Sequence, residues 1–319
     1  MSNHGHEIRH LSELDRRSFL KVVGIGSGLA FVSNLVDVSA VAAASASLPG
    51  FSKFAETVKV SKNGTYYLVE SSGLPSHSMM VGIKSWQQQI PTPQPYSGNN
   101  AWSIPIKPVI SKTPMSAKNH FLRGAIAIAV NGVPIFNALN NRGDDAYLVG
   151  ELDDWGGHCG RADDYHYHIA PLHLQTTVGK KVPIAYALDG FAIYGETEID
   201  GKIATKLDEF NGHFDSKKNY HYHGTKQFPY INGGFKGVVQ EIDGQVSPQA
   251  VTRAFRPAGD PLRGATITSC ERVGVNDFDL KYQLNSQSYE IKYSASLSQV
   301  DMTFIAPDGS TRIERYQRQ

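Results

Sequence analysis

Trp155-Gly156-Gly157-His158, followed by Tyr165-His166-Tyr167-His168, returns later in the chain as Phe210-Asn211-Gly212-His213 followed by Tyr220-His221-Tyr222-His223. Each histidine moves by the same 55 residues (158 to 213, 166 to 221, 168 to 223), and Leu152-Asp153-Asp154 aligns with Leu207-Asp208-Glu209 at that offset. Agreement over separate segments marks a duplicated unit. On a strand, His-x-His puts both rings on one face with their Cα atoms about 7 Å apart. Imidazole is the commonest protein ligand of transition metals, and three per unit match the ligand number of open tri-histidine sites.

The duplication extends upstream. Ile126-Ala127-Ile128-Ala129-Val130-Asn131-Gly132-Val133-Pro134-Ile135-Phe136 resembles Ile184-Ala185-Tyr186-Ala187-Leu188-Asp189-Gly190-Phe191-Ala192-Ile193-Tyr194 at a shift of 58 residues, so three residues are lost before the histidine segments. An apolar run, Asn-Gly or Asp-Gly, and a second apolar run form a strong hairpin signal. The spacing predicts a mainly β chain: a sandwich-like domain over residues 47–268, built on repeats at about 121–173 and 179–230, with the histidine loops near a shared axis. Each repeat is too short to bury a core alone. The alternating runs around Pro307-Asp308-Gly309 predict a small C-terminal β meander over residues 269–319. Residues 86–119, rich in Gln, Pro and Ser, read as a long ordered loop or edge segment, a crossing between sheets more than a lid.

The paired Tyr-His-Tyr-His segments, the turn Val130-Asn131-Gly132-Val133-Pro134, the segment Leu188-Asp189-Gly190-Phe191-Ala192-Ile193-Tyr194-Gly195 and the upstream Gly73-Leu74-Pro75-Ser76-His77 resemble the YHYH domain family over roughly residues 65–268. The family takes its name from its motif, so the resemblance implies a domain identity and no mechanism. It adds His77 to the candidate ligands.

At the N-terminus, Asp15-Arg16-Arg17-Ser18-Phe19-Leu20-Lys21 precedes an apolar stretch from Val22 to Val36 and small residues ending Ala44-Ser45-Ala46. This resembles a twin-arginine export signal over residues 1–46, with Arg16 and Arg17 as the pair read by the twin-arginine translocase. The stretch is too short and too rich in Gly and Ser for a membrane span. A protein carried by this route crosses folded and resides in the periplasm or outside the cell. Metal loaded before export escapes competition from copper and zinc, which otherwise outbid weaker metals for nitrogen ligands.

With 31 Lys and Arg against 30 Asp and Glu, the chain has no electrostatic footprint for nucleic acid or anionic lipid. Its two cysteines, Cys159 and Cys270, suit a disulfide in an oxidising compartment, while Cys159 beside His158 also reads as a soft metal ligand. The second copy has Phe214 at that place, which favours the disulfide or an inert thiol.

The metal candidates are thus His158, His166, His168, His213, His221, His223 and His77, with copper or zinc as the divalent ion; Asp153 and Asp208 read equally well as carboxylates fixing the imidazole tautomers or as loop or helix caps. His120 and His173 have no repeat partner and read as structural. A buried hydrogen-bond network that needs no metal is the competing reading of the six repeated rings. If one coordination position is open, metal-assisted hydrolysis has Asp163, Asp164 or Asp189 as candidate bases, and copper brings oxidation into reach. A non-enzymatic metal carrier or envelope-binding module is the alternative. Calcium held by Gly143-Asp144-Asp145 or Asp163-Asp164 is a weaker one, since hard cations want clustered oxygens. No nucleophilic triad, phosphate-cradling glycine loop or zinc-protease helix signature is present.

Overall fold

Both apolar hairpins form where the repeated runs place them, in a computed structural model that describes residues 48–84 and 86–318. The segment read as an export signal, with Arg16 and Arg17, lies outside the described residues. Strands β1 (Ala125–Ala129) and β2 (Pro134–Phe136) turn around Asn131-Gly132. Gly132 takes a positive φ of 82°, which a side chain would resist. The first histidine segment supplies β3 (Gly157–Cys159) and β4 (Tyr165–Tyr167). The second copy repeats the set as β5 (Ala185–Ala187), β6 (Ala192–Tyr194), β7 (Gly212–Phe214) and β8 (Tyr220–His223).

These strands make one eight-stranded sheet in the order β7-β8-β6-β5-β1-β2-β4-β3. The two copies meet at its centre, where β1 and β5 pair antiparallel with Ala127 opposite Ala187. β2 and β4 pair in parallel, and so do β6 and β8. Central β1 is buried along its whole length, so it reads as a continuous apolar run where an edge strand would alternate. The order carries a correction: the histidine strands occupy opposite edges of the sheet and do not gather at a shared axis. Five strand spacings of about 4.8 Å separate β8 from β4.

Around this sheet lie a three-stranded sheet (Lys59–Asn63, Tyr66–Glu70, Trp102–Pro105), a pair formed by Ile110–Ser116 and Gly234–Gly237, and a hairpin of Gln240–Ile242 with Gln245–Ser247. Of the two readings of residues 86–119 the edge segment holds: they contribute two edge strands and bury Trp86, Ile90, Tyr96 and Trp102. The expected C-terminal meander is a five-stranded antiparallel sheet. Its first strand, Thr266–Arg272, begins before residue 269 and joins the rest of the protein through backbone bonds of Gly82 and Ile83 to Ile267 and of Met79 to Cys270. Its Phe278, Leu280 and Ile291 belong to the same apolar core as β1. Among the described residues, no helix is long and apolar enough to cross a membrane.

Cys159 and Cys270 are both buried free thiols, so the expected disulfide is not present. Each is enclosed by other groups: the Cys159 amide donates to the Met80 sulfur at 3.1 Å, and the Tyr293 hydroxyl lies 4.0 Å from the Cys270 sulfur. Backbone pairing already fastens the meander to the segment that approaches β3.

Candidate metal centres

The local fold explains why three rings meet in each copy. In the β3/β4 pair His158 stands directly opposite His166, and in the β7/β8 pair His213 stands opposite His221. Cross-strand partners have their Cβ atoms about 5 Å apart, and a residue two further along shares their face. His168 and His223 complete the triads in that way. Ring centroids form near-equilateral triangles of 4.9, 4.9 and 5.0 Å for His158, His166 and His168, and 4.7, 5.2 and 4.9 Å for His213, His221 and His223.

Alternation sends the tyrosines to the opposite face, where each hydroxyl is locked. Tyr165 donates to Asp153 at 2.8 Å, and Tyr220 donates to Asp208 at 3.0 Å. To reach Asp153, the Tyr165 hydroxyl crosses Gly157, where a Cβ would lie 2.5 Å from it; at Gly212 the clash with Tyr220 would be 2.2 Å. The glycine before each first histidine is thereby required. Tyr167 accepts from the Asn131 amide at 3.1 Å and pairs with His77 Nε2 at 2.7 Å. Tyr222 donates to Asp189 at 2.6 Å.

Asp153 and Asp208 are therefore not the carboxylates that orient the imidazoles. Asp153 accepts from the Tyr165 hydroxyl and from the amides of Met80, Trp155 and Gly157. Asp208 accepts from Tyr220 and from the amides of Phe210 and Gly212. Backbone carbonyls fix the rings instead. His168 Nδ1 lies 2.6 Å from the Asn137 oxygen, His223 Nδ1 2.7 Å from the Gly195 oxygen, and His166 Nδ1 3.0 Å from the Asp164 oxygen. A carbonyl only accepts, so Nδ1 carries the proton in each ring and Nε2 presents a lone pair to the triad.

Those nitrogens are close together. His158 Nε2 and His168 Nε2 are 3.1 Å apart, as are His213 Nε2 and His221 Nε2. Two nitrogens held ~2.05 Å from one tetrahedral ion lie about 3.3 Å apart, so the spacing suits a shared cation. In the first pair protonation is a poor way to relieve the crowding. Burial, reinforced by the neighbouring rings, pushes His158 well below the usual histidine range and His168 down to about 3. Burial likewise takes His223 down to about 4, and its buried Nε2 has no hydrogen-bond partner. The donor sets thus fit a divalent transition metal.

The two centres differ in their fourth side. Glu198, which the sequence reading missed, joins the second triad: its Oε1 is 2.8 Å from His213 Nε2 and 3.6 Å from His223 Nε2, and its Oε2 is 3.5 Å from His221 Nε2. Candidate ligand atoms of Glu198, His213, His221 and His223 all lie within 4.8 Å of one another, as do those of His158, His166 and His168. The repeat places Asn140 where the second copy has Glu198. The Asn140 side-chain oxygen is engaged by the amides of Arg142 and Asp144, so among the described residues no fourth acidic, histidine or cysteine ligand joins the first triad. It opens instead into a cavity of about 580 Å³ whose lining includes all three of its histidines.

The remaining candidates are placed elsewhere. His77 lies on the tyrosine face, stacked on Trp155 at 4.7 Å, with Nδ1 on the Ser78 carbonyl and Nε2 on Tyr167, and it joins neither triad. Alternation in β3 sends Cys159 to the face opposite His158, which removes it as a ligand. Asp163 forms a two-pronged ion pair with Arg256 (2.9 and 3.1 Å) and also accepts the Ile90 amide, so it is spent on structure. Asp189 is occupied by Tyr222, the Gly237 amide and the Phe191 amide. Of the three proposed bases only Asp164 approaches a triad, its Oδ2 being 3.5 Å from His166 Nδ1. His120 pairs with Glu241 at 2.7 Å, and His173 packs edge-on to His77. Asp144 pairs with Arg142, and Asp145 accepts the Tyr147 and Leu148 amides, which leaves no cluster of oxygens for calcium there.

Residues 101–202 match the family model described as YHYH protein. The match contains the first triad and Glu198 and stops short of His213, His221 and His223. No curated protein and no solved structure matches the chain.

Proposed function

We propose that this chain, which carries a YHYH domain over residues 101–202, is an exported protein that binds two divalent transition-metal ions, one in each histidine triad. The observation carrying this reading is the convergence of imidazole nitrogens in two separate groups, each with its ligand atoms within 4.8 Å of one another. Copper and zinc suit the nitrogen-rich sets. Protein-bound structural sites are closed by four ligands, whereas reactive sites keep one position open. On that criterion the second centre, with Glu198, holds its ion, and the first presents its ion to the cavity.

An ion at the first centre would supply either a water acidic enough to attack a carbonyl or, for copper, an oxidising centre. The chain's own residues do the rest: the Asn137 and Asp164 carbonyls hold two of the rings in the metal-binding tautomer, and the Asp164 carboxylate lies 3.5 Å from His166 Nδ1. A hydrolase or an oxidase of a small substrate is the activity this arrangement suits. The closed second centre also favours a carrier function, in which metal is stored rather than used. The pair Arg16 and Arg17 supports export through the twin-arginine translocase, with a final residence in the periplasm or beyond.

Metal analysis of protein recovered after its own export tests the reading. Two equivalents of transition metal per chain are expected, and replacing His158 and His168 with Ala removes one. A folded protein devoid of metal in both forms leaves the histidines as a structural network.

A further inference from the structure

The first triad lies in the lining of a cavity whose chemistry constrains what binds there, and the argument rests on the metal reading above. At about 580 Å³ the cavity falls within the range of small-molecule sites, which are usually lined by apolar and aromatic side chains. This one is edged by Arg123, Arg142 and Arg161 against two carboxylates, Glu151 and Asp164. Arg142 is already tied to Glu151 and Asp144. Arg123 and Arg161 have no carboxylate within ion-pair distance among the described residues; Arg123 makes one long bond to the Asp243 carbonyl. An ion at the triad adds two further positive charges to a lining that already carries a net charge of plus one.

We propose that this cavity binds a small molecule bearing two carboxylates. One occupies the open position at the His158, His166 and His168 centre, and the other is received by the guanidinium groups of Arg123 and Arg161. Guanidinium groups receive carboxylates through paired, charge-assisted bonds. The asymmetry between the copies gives the second half of the argument. At the position repeat-equivalent to Asn140 the second copy supplies a carboxylate of its own, Glu198, to the triad. A carboxylate is thus the group that the same three-ring geometry accepts within this very chain, and the first copy leaves that place to a ligand from outside.

Cobalt(II) loaded in place of the native metal reports the test, because its visible absorption changes when a ligand enters its coordination sphere. Succinate is titrated into the cobalt protein, with succinamide as the uncharged control of equal length. Succinate is expected to alter the spectrum saturably, succinamide to leave it unchanged, and R123Q/R161Q to weaken succinate at least tenfold while retaining its cobalt. Both arginines are exposed, so the paired variant keeps the fold. Equal binding of succinamide, undiminished binding by R123Q/R161Q, or no spectral response in a cobalt-loaded protein overturns the proposal and leaves the metal reading intact. Failure of the His158, His166 and His168 centre to take up cobalt overturns both.

Discussion

Glu198 Oε1 lies 2.8 Å from His213 Nε2 and closes the second triad, while Asn140, its counterpart in the first copy, turns its side-chain oxygen to the amides of Arg142 and Asp144. One substitution between copies separates a group of four candidate ligands from a group of three. E198A should therefore weaken metal at the second centre by at least tenfold, leave the first unchanged, and open a position to exogenous ligands. Stepwise titration with a metal-competing dye, monitored for two affinities, checks this; unchanged affinity at both centres would place Glu198 outside the coordination shell.

Asp189 provides a pH signature independent of any metal. Burial pushes its carboxyl up to about 6, against the lowering effect of the bonds from Tyr222, Gly237 and Phe191. Since the folded value exceeds the unfolded one near 3.9, the native state holds a proton that the unfolded chain has released. The associated stability is complete below pH ~4 and declines as pH rises through 6, by about 3 kcal/mol at most. D189N should flatten that slope. It also strands one amide donor, a cost of about 1–3 kcal/mol. Urea unfolding of both proteins from pH 4 to 7 gives the comparison, and parallel slopes would refute the assignment.

Asp153 anchors four donors and touches no ring of the triad. D153A leaves the Tyr165 hydroxyl, two buried amides and the half-buried Trp155 amide without an acceptor, which should cost about 3 kcal/mol or more. If Asp153 acted mainly on the metal, D153A would lower metal affinity at near-normal stability. Denaturant midpoints measured beside metal content separate the two roles.

The thiols should be silent in the native protein. Burial raises Cys159 well above the usual thiol range and Cys270 to about 12, and the thiolate is the reactive form. Iodoacetamide at pH 8 should label neither cysteine in the folded protein within the time that labels both in urea, as read by mass. Rapid labelling of the folded protein would contradict the burial described.

Much of this was legible in the residues, and the failures have physical causes. The Asn-Gly and Asp-Gly turns located β1, β2, β5 and β6, and the His-x-His alternation β4 and β8, because hairpins and alternation are local properties; β3 and β7 were read as parts of histidine loops. Where the triads sit is not local. It depends on β1 pairing with β5, which puts the copies back to back and sends β3 and β7 to opposite edges. For Asp153 and Asp208 the capping reading holds and the tautomer-fixing one does not, since residue type does not show that a tyrosine hydroxyl on the neighbouring strand shares the carboxylate with the turn amides. The groups that set the tautomers, the Asn137 and Gly195 carbonyls, have no side-chain signature at all. Glu198 was hidden because its repeat position carries Asn140; a search of the duplicated frame for acidic residues near the histidines would have found it.

Anomalous X-ray diffraction, recorded above and below the copper and zinc edges from crystals of the metal-loaded protein, tests the two-centre account most directly. The account predicts two peaks, one among His158, His166 and His168 and the other among His213, His221, His223 and Glu198, each ~2 Å from the Nε2 atoms. Crystals of loaded protein with no peak at either triad, or with a single ion bound elsewhere, would contradict it.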